Sequence, residues 1–319
     1  MAAEPIRPDP STGAILLAAP TDAIGLRLDA GLARWLPQFS RGRIQEWIEG
    51  GHVLIDGRTV APRHKLRGGE KISVVPQAAG DAAPHGPEDI ALSIVHEDDA
   101  IIVLDKPAGL VAHPAAGNWD GTLLNALLHH APQLADVPRA GIVHRLDKDT
   151  SGLLVVARTL EAQTALVRQM QAREVKREYQ ALVAGTVERA GMVQAAIGRH
   201  PTQRTRMTVL ADSAGGAKPA LTHFKVARRF RRDGIAATLV ECRLETGRTH
   251  QIRVHMQHIG HPIVGDQVYG RPPWRAWFAR QALHACRLGL LHPTSGRRLE
   301  WEAPLPCDMQ ALLDELESE

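Results

Sequence analysis

The sequence predicts an α+β protein in two parts: a small αβ module near the N-terminus and a larger domain on a mixed, mainly antiparallel sheet. Three observations lead there. Between Ala23 and residue 76, apolar residues recur twice at helical spacing and are followed by strand-like runs around a two-residue turn. Gln77 to Asp89 is rich in Ala, Pro, Gly and Asp and reads as a linker. From Ile90 onward, apolar strand-like runs alternate with Gly/Pro turns and few helical stretches intervene. The expected division is a loose tail over 1–22, a first module over 23–76, a linker over 77–89 and a large domain over 90–319.

In the first module Leu28, Leu32 and Trp35–Leu36 share one helical face, and Pro37 ends that helix. Ser40 is placed to cap a second helix, which carries Ile44, Trp47 and Ile48 on one face and stops at Gly50-Gly51. Arg41 and Arg43 sit in its first turn, where the helix dipole disfavours cations, so they point to a use other than helix stability. His52–Ile55, Asp56-Gly57 and Arg58–Val60 then read as a hairpin, and Lys71–Val75 as a last strand. The stretch SRGRIQEWIEGGHVLIDGRTV resembles the S4 RNA-binding domain, which implies RNA contacts at Arg41 and Arg43.

In the large domain Ala100–Asp105 and Leu153–Ala157 read as buried strands, the first closed by Lys106-Pro107. Thr159 caps a helix that has Glu161 in its first turn and runs to about Ala172. Thr238–Leu244 alternates with period two, placing Val240, Cys242 and Leu244 on one face. Ile252, Met256 and Ile259 mark a last helix, ended by Gly260 and Pro262. Arg253 lies one step off its apolar face, beside Thr249 and Gln257, where it can look into a cleft.

Composition excludes several classes. The hydrophobic fraction of 44% and charged fraction of 23% are those of an ordinary soluble chain, and 4% aromatic residues cannot supply many base-stacking platforms. No apolar run approaches the roughly 18 residues needed to cross a bilayer. The N-terminus lacks the basic and apolar regions of a secretion signal. Cys242, Cys286 and Cys307 form no CxxC pair, which argues against a zinc ribbon or a disulfide framework and for a reducing cytoplasm. The net charge is only +3, but it is unevenly spread. Gly25–Val75 has nine Lys/Arg against five acids, Arg168–Met207 eight against three, and Arg271–Arg298 six arginines and no acid. Such patches suggest a polyanion held over part of the surface.

The densest segment is GIVHRLDKDTSGLLVVAR, Gly141 to Arg158, which sets His144, Arg145, Asp147, Lys148 and Asp149 between apolar runs. Asp147, Asp149 and Ser151 match the start of a calcium loop, but Arg158 stands where a bidentate Glu is required. A charged surface turn and a catalytic carboxylate among cations both remain open on the residues alone. His250, His255, His258 and His261 meet no Cys or carboxylate before Asp266, so they read as solvated or RNA-facing rather than as metal ligands. Lys106, in the KPAG bend, reads as structural.

HRLDKDTSG resembles the central motif of the RluA family of pseudouridine synthases. LDKPAGLVAHP (Leu104–Pro114), VKREYQALVAG (Val175–Gly185) and LETGRTHQIRVHMQHIGHPIVGDQVYG (Leu244–Gly270) resemble the family's other motifs, in the same order. The PRAGIVHRLDKDTSG wording and the closing LHACRLGLLHPTSG and WEAPLP look most like members that modify the helix 69 stem-loop of large-subunit rRNA. The resemblance implies a uridine isomerase that needs no cofactor, metal or nucleotide. It also implies that Asp147 is the reacting carboxylate, Arg253 its partner, Tyr179 the residue that packs on uracil and helps move the C5 proton, and Arg145 the filler of the space a flipped base vacates. The expected partner is 23S rRNA, free or in a large-subunit precursor, and the expected state a monomer without membrane attachment. Another rRNA loop, tRNA, or an RNA-binding assembly factor with an idle site are the alternatives. RNA contacts in the Trp/Arg-rich stretch 271–280 are left open.

Overall fold

Two units, Met1–Ala83 and Pro84–Glu319, each have a sheet and a core of their own. The computed structural model describes residues 7–8, 14–36, 39, 41–76, 86–114, 119–203, 205–211 and 214–318. Pro37, Ser40 and residues 77–85 of the expected linker lie outside these, as does the side chain of Arg41.

The first unit runs β1 (Arg7–Pro8), β2 (Ile15–Ala18), α1 (Leu28–Trp35), α2 (Arg41–Glu49), β3 (Val53–Ile55), β4 (Arg58–Thr59) and β5 (Lys71–Val74). Its antiparallel sheet has the order β1-β2-β5-β3-β4. Asp56 and Gly57 both have positive φ, +48° and +78°, the backbone a two-residue hairpin turn requires, which is why Asp-Gly stands there. The two helices lay Leu28, Leu32, Ile44 and Trp47 against Val53 and Ile72 of the sheet. One expectation needs correcting. Part of the tail expected over 1–22 is a strand, since Ile15–Ala18 pairs in full with β5 and turns Ile15 and Leu17 toward the core. Four residues of alternation are too few to distinguish a strand from a loop in the sequence.

The second unit runs β6 (Ile94–Glu97), β7 (Ile101–Lys106), α3 (Leu123–His130), β8 (Ser151–Ala157), α4 (Leu160–Ala172), β9 (Lys176–Ala184), β10 (Gly191–Gln194), β11 (Ile197–Arg199) and β12 (Met207–Val209). It continues with β13 (Leu221–Arg232), β14 (Ile235–Leu244), α5 (Gln251–His258), β15 (Leu283–Leu291), β16 (Arg298–Glu302), α6 (Cys307–Asp314) and β17 (Glu317–Ser318). The main sheet has the order β10-β13-β14-β9-β15-β8-β7-β6, with β16 beside β15 and β17 beside β13. Its pairings are antiparallel apart from β15 with β8, so the expected mixed, mainly antiparallel α+β sheet is what forms.

β8 is buried along its whole length because both faces of the sheet are covered. Leu154 and Val156 join the core under α3, α5 and α6, while Leu153, Val155 and Ala157 join a second core under α4. A strand buried on both faces reads as an unbroken apolar run, which is how SGLLVVA looks in the sequence. Thr159 caps α4 as expected, its hydroxyl accepting from Ala162 N–H at 3.1 Å. The end of the presumed linker is tied to this unit: Asn125 Nδ2 donates to Gly86 O at 2.7 Å, and the Glu88 carboxylate accepts from Gly121 N–H at 2.9 Å. Among the described residues no helix is long and apolar enough to cross a membrane.

Candidate active site

The charged segment before β8 is a loop whose backbone carbonyls are held from behind. Thr150 N–H donates to Asp147 O at 3.0 Å and closes the turn. The Lys106 ammonium, at the end of β7 and 1% exposed, donates to Pro107 O, Leu110 O and Lys148 O at 2.7, 3.0 and 2.9 Å. Burial pushes its pKa down to about 8, against the pull of Asp149 and Asp147. Arg280 donates to Asp149 O at 3.0 Å while its fork engages Asp308 at 2.7 and 2.9 Å. Gly152 closes the motif with φ +112°, and a Cβ there would lie 2.3 Å from Ala285 O. Only glycine lets β8 come alongside β15 at this point, where Gly152 pairs with Ala285.

Asp147 is thereby aimed at α5. Arg253 Nη1 donates to Asp147 Oδ2 at 3.0 Å. The same guanidinium forks onto Asp266, with Nε to Oδ2 at 2.7 Å and Nη2 to Oδ1 at 2.9 Å. Asp266 has no exposed surface, and its Oδ1 also accepts from Val268 and Tyr269 N–H at 2.9 Å each. Burial alone would raise the Asp266 pKa, but hydrogen bonds and charge from Arg253 hold it below the usual carboxylate range. Burial likewise opposes the charge of Arg253, and the two carboxylates overcome it and raise its pKa. An arginine fixed from below by a fully bonded carboxylate holds Asp147 in one geometry before any substrate arrives.

The outer oxygen, Asp147 Oδ1, faces His250 Nε2 at 3.9 Å. His250 Nδ1 is 2.9 Å from the Tyr269 hydroxyl, which accepts from Met207 N–H at 2.8 Å. In the tautomer whose Nδ1 accepts the Tyr269 proton, the ring proton sits on Nε2, toward Asp147. Burial lowers the pKa of His250 despite Asp147, which keeps the imidazole neutral. Asp147, Arg253 and His250 open into a cavity of about 760 Å³ that Tyr179, Arg177 and Leu283 also line. Tyr179 is buried on β9, and burial, reinforced by Asp147, raises its pKa, so the phenol keeps its proton. His144, also on the wall, accepts from Val155 N–H at 3.1 Å; burial, helped by the Arg177 charge, pushes its pKa down to about 3.

Of the residues singled out in the sequence, the fold brings Asp147, Tyr179 and Arg253 to one cavity and puts Arg145, exposed, on its lining. Arg43 belongs to the first unit, with its guanidinium 5.4 Å from the centre of the Trp47 ring. Arg280, in the Trp/Arg-rich stretch, is a buried clamp on the loop, and Trp274 Nε1 donates to Ala236 O at 2.8 Å. The histidine expectation is overturned in part. His255 is buried between Thr222 Oγ1 (2.9 Å) and Ala195 O (3.0 Å), and His261 Nδ1 lies 2.8 Å from Ala184 O. The partners of His255 come from elements far along the chain, Thr222 on β13 and Ala195 just after β10, which spacing along α5 does not reveal.

Sequence reasoning missed Asp266, Tyr269 and Arg177. Arg177 had a legible signal, since it stands two residues before Tyr179 and a strand puts both on one face. Asp266 had none, because its partner lies on a helix across a turn.

Comparison with known proteins identifies the family. A family model described as RNA pseudouridylate synthase matches residues 100–258, and the S4 domain model matches residues 26–72. The chain is 56% identical over 306 residues to the ribosomal large subunit pseudouridine synthase D of Nitrosomonas europaea, covering 94% of this chain and 87% of that one. It is 52% identical over 310 residues to the protein of the same name from Xanthomonas campestris pv. campestris, covering 93% and 91%. The solved structure of human RNA pseudouridylate synthase domain containing 1 superposes with a TM-score of 0.58 at 29% identity, over 73% of this chain and 90% of that one. The chain belongs to the RNA pseudouridylate synthase family of RNA-modifying isomerases and carries an S4 domain ahead of its synthase domain.

Proposed function

We propose that this enzyme converts uridine to pseudouridine in large-subunit ribosomal RNA, in the helix 69 stem-loop, with Asp147 as the reacting carboxylate. The observation that carries this is the Asp147–Arg253 contact of 3.0 Å on the floor of a cavity that Tyr179 faces. The names of the two bacterial relatives support the large-subunit target.

The reaction breaks C1′–N1, turns the uracil and forms C1′–C5; C5 loses a proton and N1 gains one, so no atom is added or removed. Arg253 holds Asp147 Oδ2, which leaves Oδ1 to act at the sugar, either at C1′ or on a sugar proton. Tyr179 packs on the uracil and assists transfer of the C5 proton. Arg145 fills the space left in the stem-loop, whose unstacking costs roughly a few kcal/mol. Arg41 and Arg43 of the first unit supply phosphate contacts that carry little sequence information. No cofactor enters this scheme, and the working form is a monomer in the cytoplasm. Residues 1–22, 23–76, 77–89 and 90–319 serve as tail, RNA-binding module, linker and catalytic domain, with the strand Ile15–Ala18 added to the module.

The test is tritium release from large-subunit rRNA carrying 5-tritiated uridine, with wild type and Asp147→Ala compared. Release by the wild type alone is expected. Equal release by both would remove Asp147 from the chemistry, and no release by either would favour the assembly-factor reading. Deleting Met1–Val75 is expected to weaken RNA binding more than it slows the bound-state reaction, and unchanged binding would sink the role given to the first unit.

A further inference from the structure

Arg177 and Tyr179 leave the same face of β9 and line the same cavity. Arg177 is 7% exposed, and its Nε is sealed from solvent without an acceptor. Its guanidinium makes no hydrogen bond or ion pair among the described residues. Two other buried arginines among the described residues differ in this respect: Arg253 is paired with Asp147 and Asp266, and Arg280 with Asp308. Glu245, which lines the cavity along with Asp147, is taken by His223 at 2.7 Å and Arg173 at 3.2 Å. The loop after β14 leaves room for the cation, since a Cβ on Gly247 would stand 2.8 Å from Arg177 Nη1.

A cation buried without its counter-charge is expensive to hold, and the fold holds this one beside the group that faces the substrate. Arg139, Arg145 and Arg248 line the same cavity and have no carboxylate partner among the described residues. The planar guanidinium fork matches two oxygens of one phosphodiester. A strand that delivers a nucleotide to Asp147 must bring its own phosphates past this wall.

We propose that Arg177 binds the phosphodiester flanking the nucleotide that enters the cavity, which supplies the counter-charge that no described residue gives it. This rests on the uridine-isomerase reading above. The role is positioning: Arg177 sets where the strand enters, while Asp147 remains the group at the reacting sugar.

The experiment uses full-length wild type, Arg177→Gln and Arg177→Lys with a large-subunit rRNA fragment that contains the target uridine. Binding is measured over a range of salt concentrations, along with kcat, KM and the Tm of the RNA-free protein. For Arg177→Gln we expect binding about tenfold weaker and a log K against log [salt] slope smaller by about 1. KM should rise more than kcat falls, and Tm should stay the same or rise because an uncompensated buried charge is gone. Arg177→Lys should keep the wild-type slope. A methylphosphonate at the flanking phosphate should weaken the wild type to the level of Arg177→Gln and leave that variant unaffected. An unchanged salt slope in Arg177→Gln, or a lowered Tm with unchanged RNA affinity, would assign Arg177 to internal structure and overturn the proposal. Failure of the wild type to bind or convert the fragment would instead remove the large-subunit reading, and this inference with it.

Discussion

Arg253 and Arg177 line one cavity and are about equally buried, at 5% and 7% exposed, but they are held in opposite ways. Arg253 meets three carboxylate oxygens, two on Asp266 and one on Asp147. Arg177 meets none among the described residues. On the floor, the cost of burying charge is offset within the protein, so the carboxylate stands in its working geometry before RNA binds. On the wall, the offset is left for a ligand to provide, so part of the binding energy is realised only when a polyanion enters. Stability and affinity are thus assigned to different sides of the same site.

The sharpest break of the floor is Asp147→Ala, which should lower the rate of tritium release on the order of 10⁴-fold while RNA binding persists. Single-turnover release beside a filter-binding measurement separates the two effects, and a variant that keeps even a tenth of the rate would move the chemistry elsewhere. Next comes Asp266→Asn. It keeps an oxygen for the Val268 and Tyr269 N–H groups but removes the charge beneath Arg253, and should lower the unfolding free energy by about 3 kcal/mol in urea titrations. An unaltered midpoint would mean that the floor is not what holds Arg253.

A third effect comes from pH. Burial depresses the pKa of His144, His255 and His284, that of His144 to about 3, so the folded chain keeps them neutral while the unfolded chain takes up protons below about 6.5. Stability should therefore fall as pH drops from 6.5 to 5, by at most about 1.4 kcal/mol per pH unit for His144. Urea midpoints at the two pH values, for wild type and His144→Gln, test it; an equal slope in both would clear His144. The smallest effect expected is that of Tyr269→Phe. It removes the hydroxyl that joins Met207 N–H to His250, and should cost about 1 kcal/mol and lower kcat a few-fold without changing the salt slope of RNA binding. A changed slope would blur the division between floor and wall.

Much of the fold could be read locally. Thr159 and the apolar spacing after it specify α4, Asp56-Gly57 specifies the hairpin turn, and the unbroken apolar run of β8 announces a strand covered on both faces. The strand Ile15–Ala18 was not legible, since four residues of alternation become a strand only when β5 offers an edge to pair with. In the site, Asp147, Tyr179 and Arg253 were singled out through motif resemblance, and the structure brings the three together although 106 positions separate Asp147 from Arg253.

By itself, then, the sequence determined the period of elements such as α4 and β8, the cap at Thr159, the turn at Asp56-Gly57, and which charged segments could not be core. These are properties of neighbours a few residues apart, and sterics and local hydrogen bonding act at that range. Only the tertiary structure decided which charges are paired and which are not. Arg253 finds Asp266 because α5 and the following turn pack side by side, whereas Arg177, on a strand of equally ordinary sequence, faces a cavity whose described carboxylates, Asp147 and Glu245, are paired with other side chains. Ion pairing depends on distances of a few ångströms across elements, which no periodicity along the chain encodes.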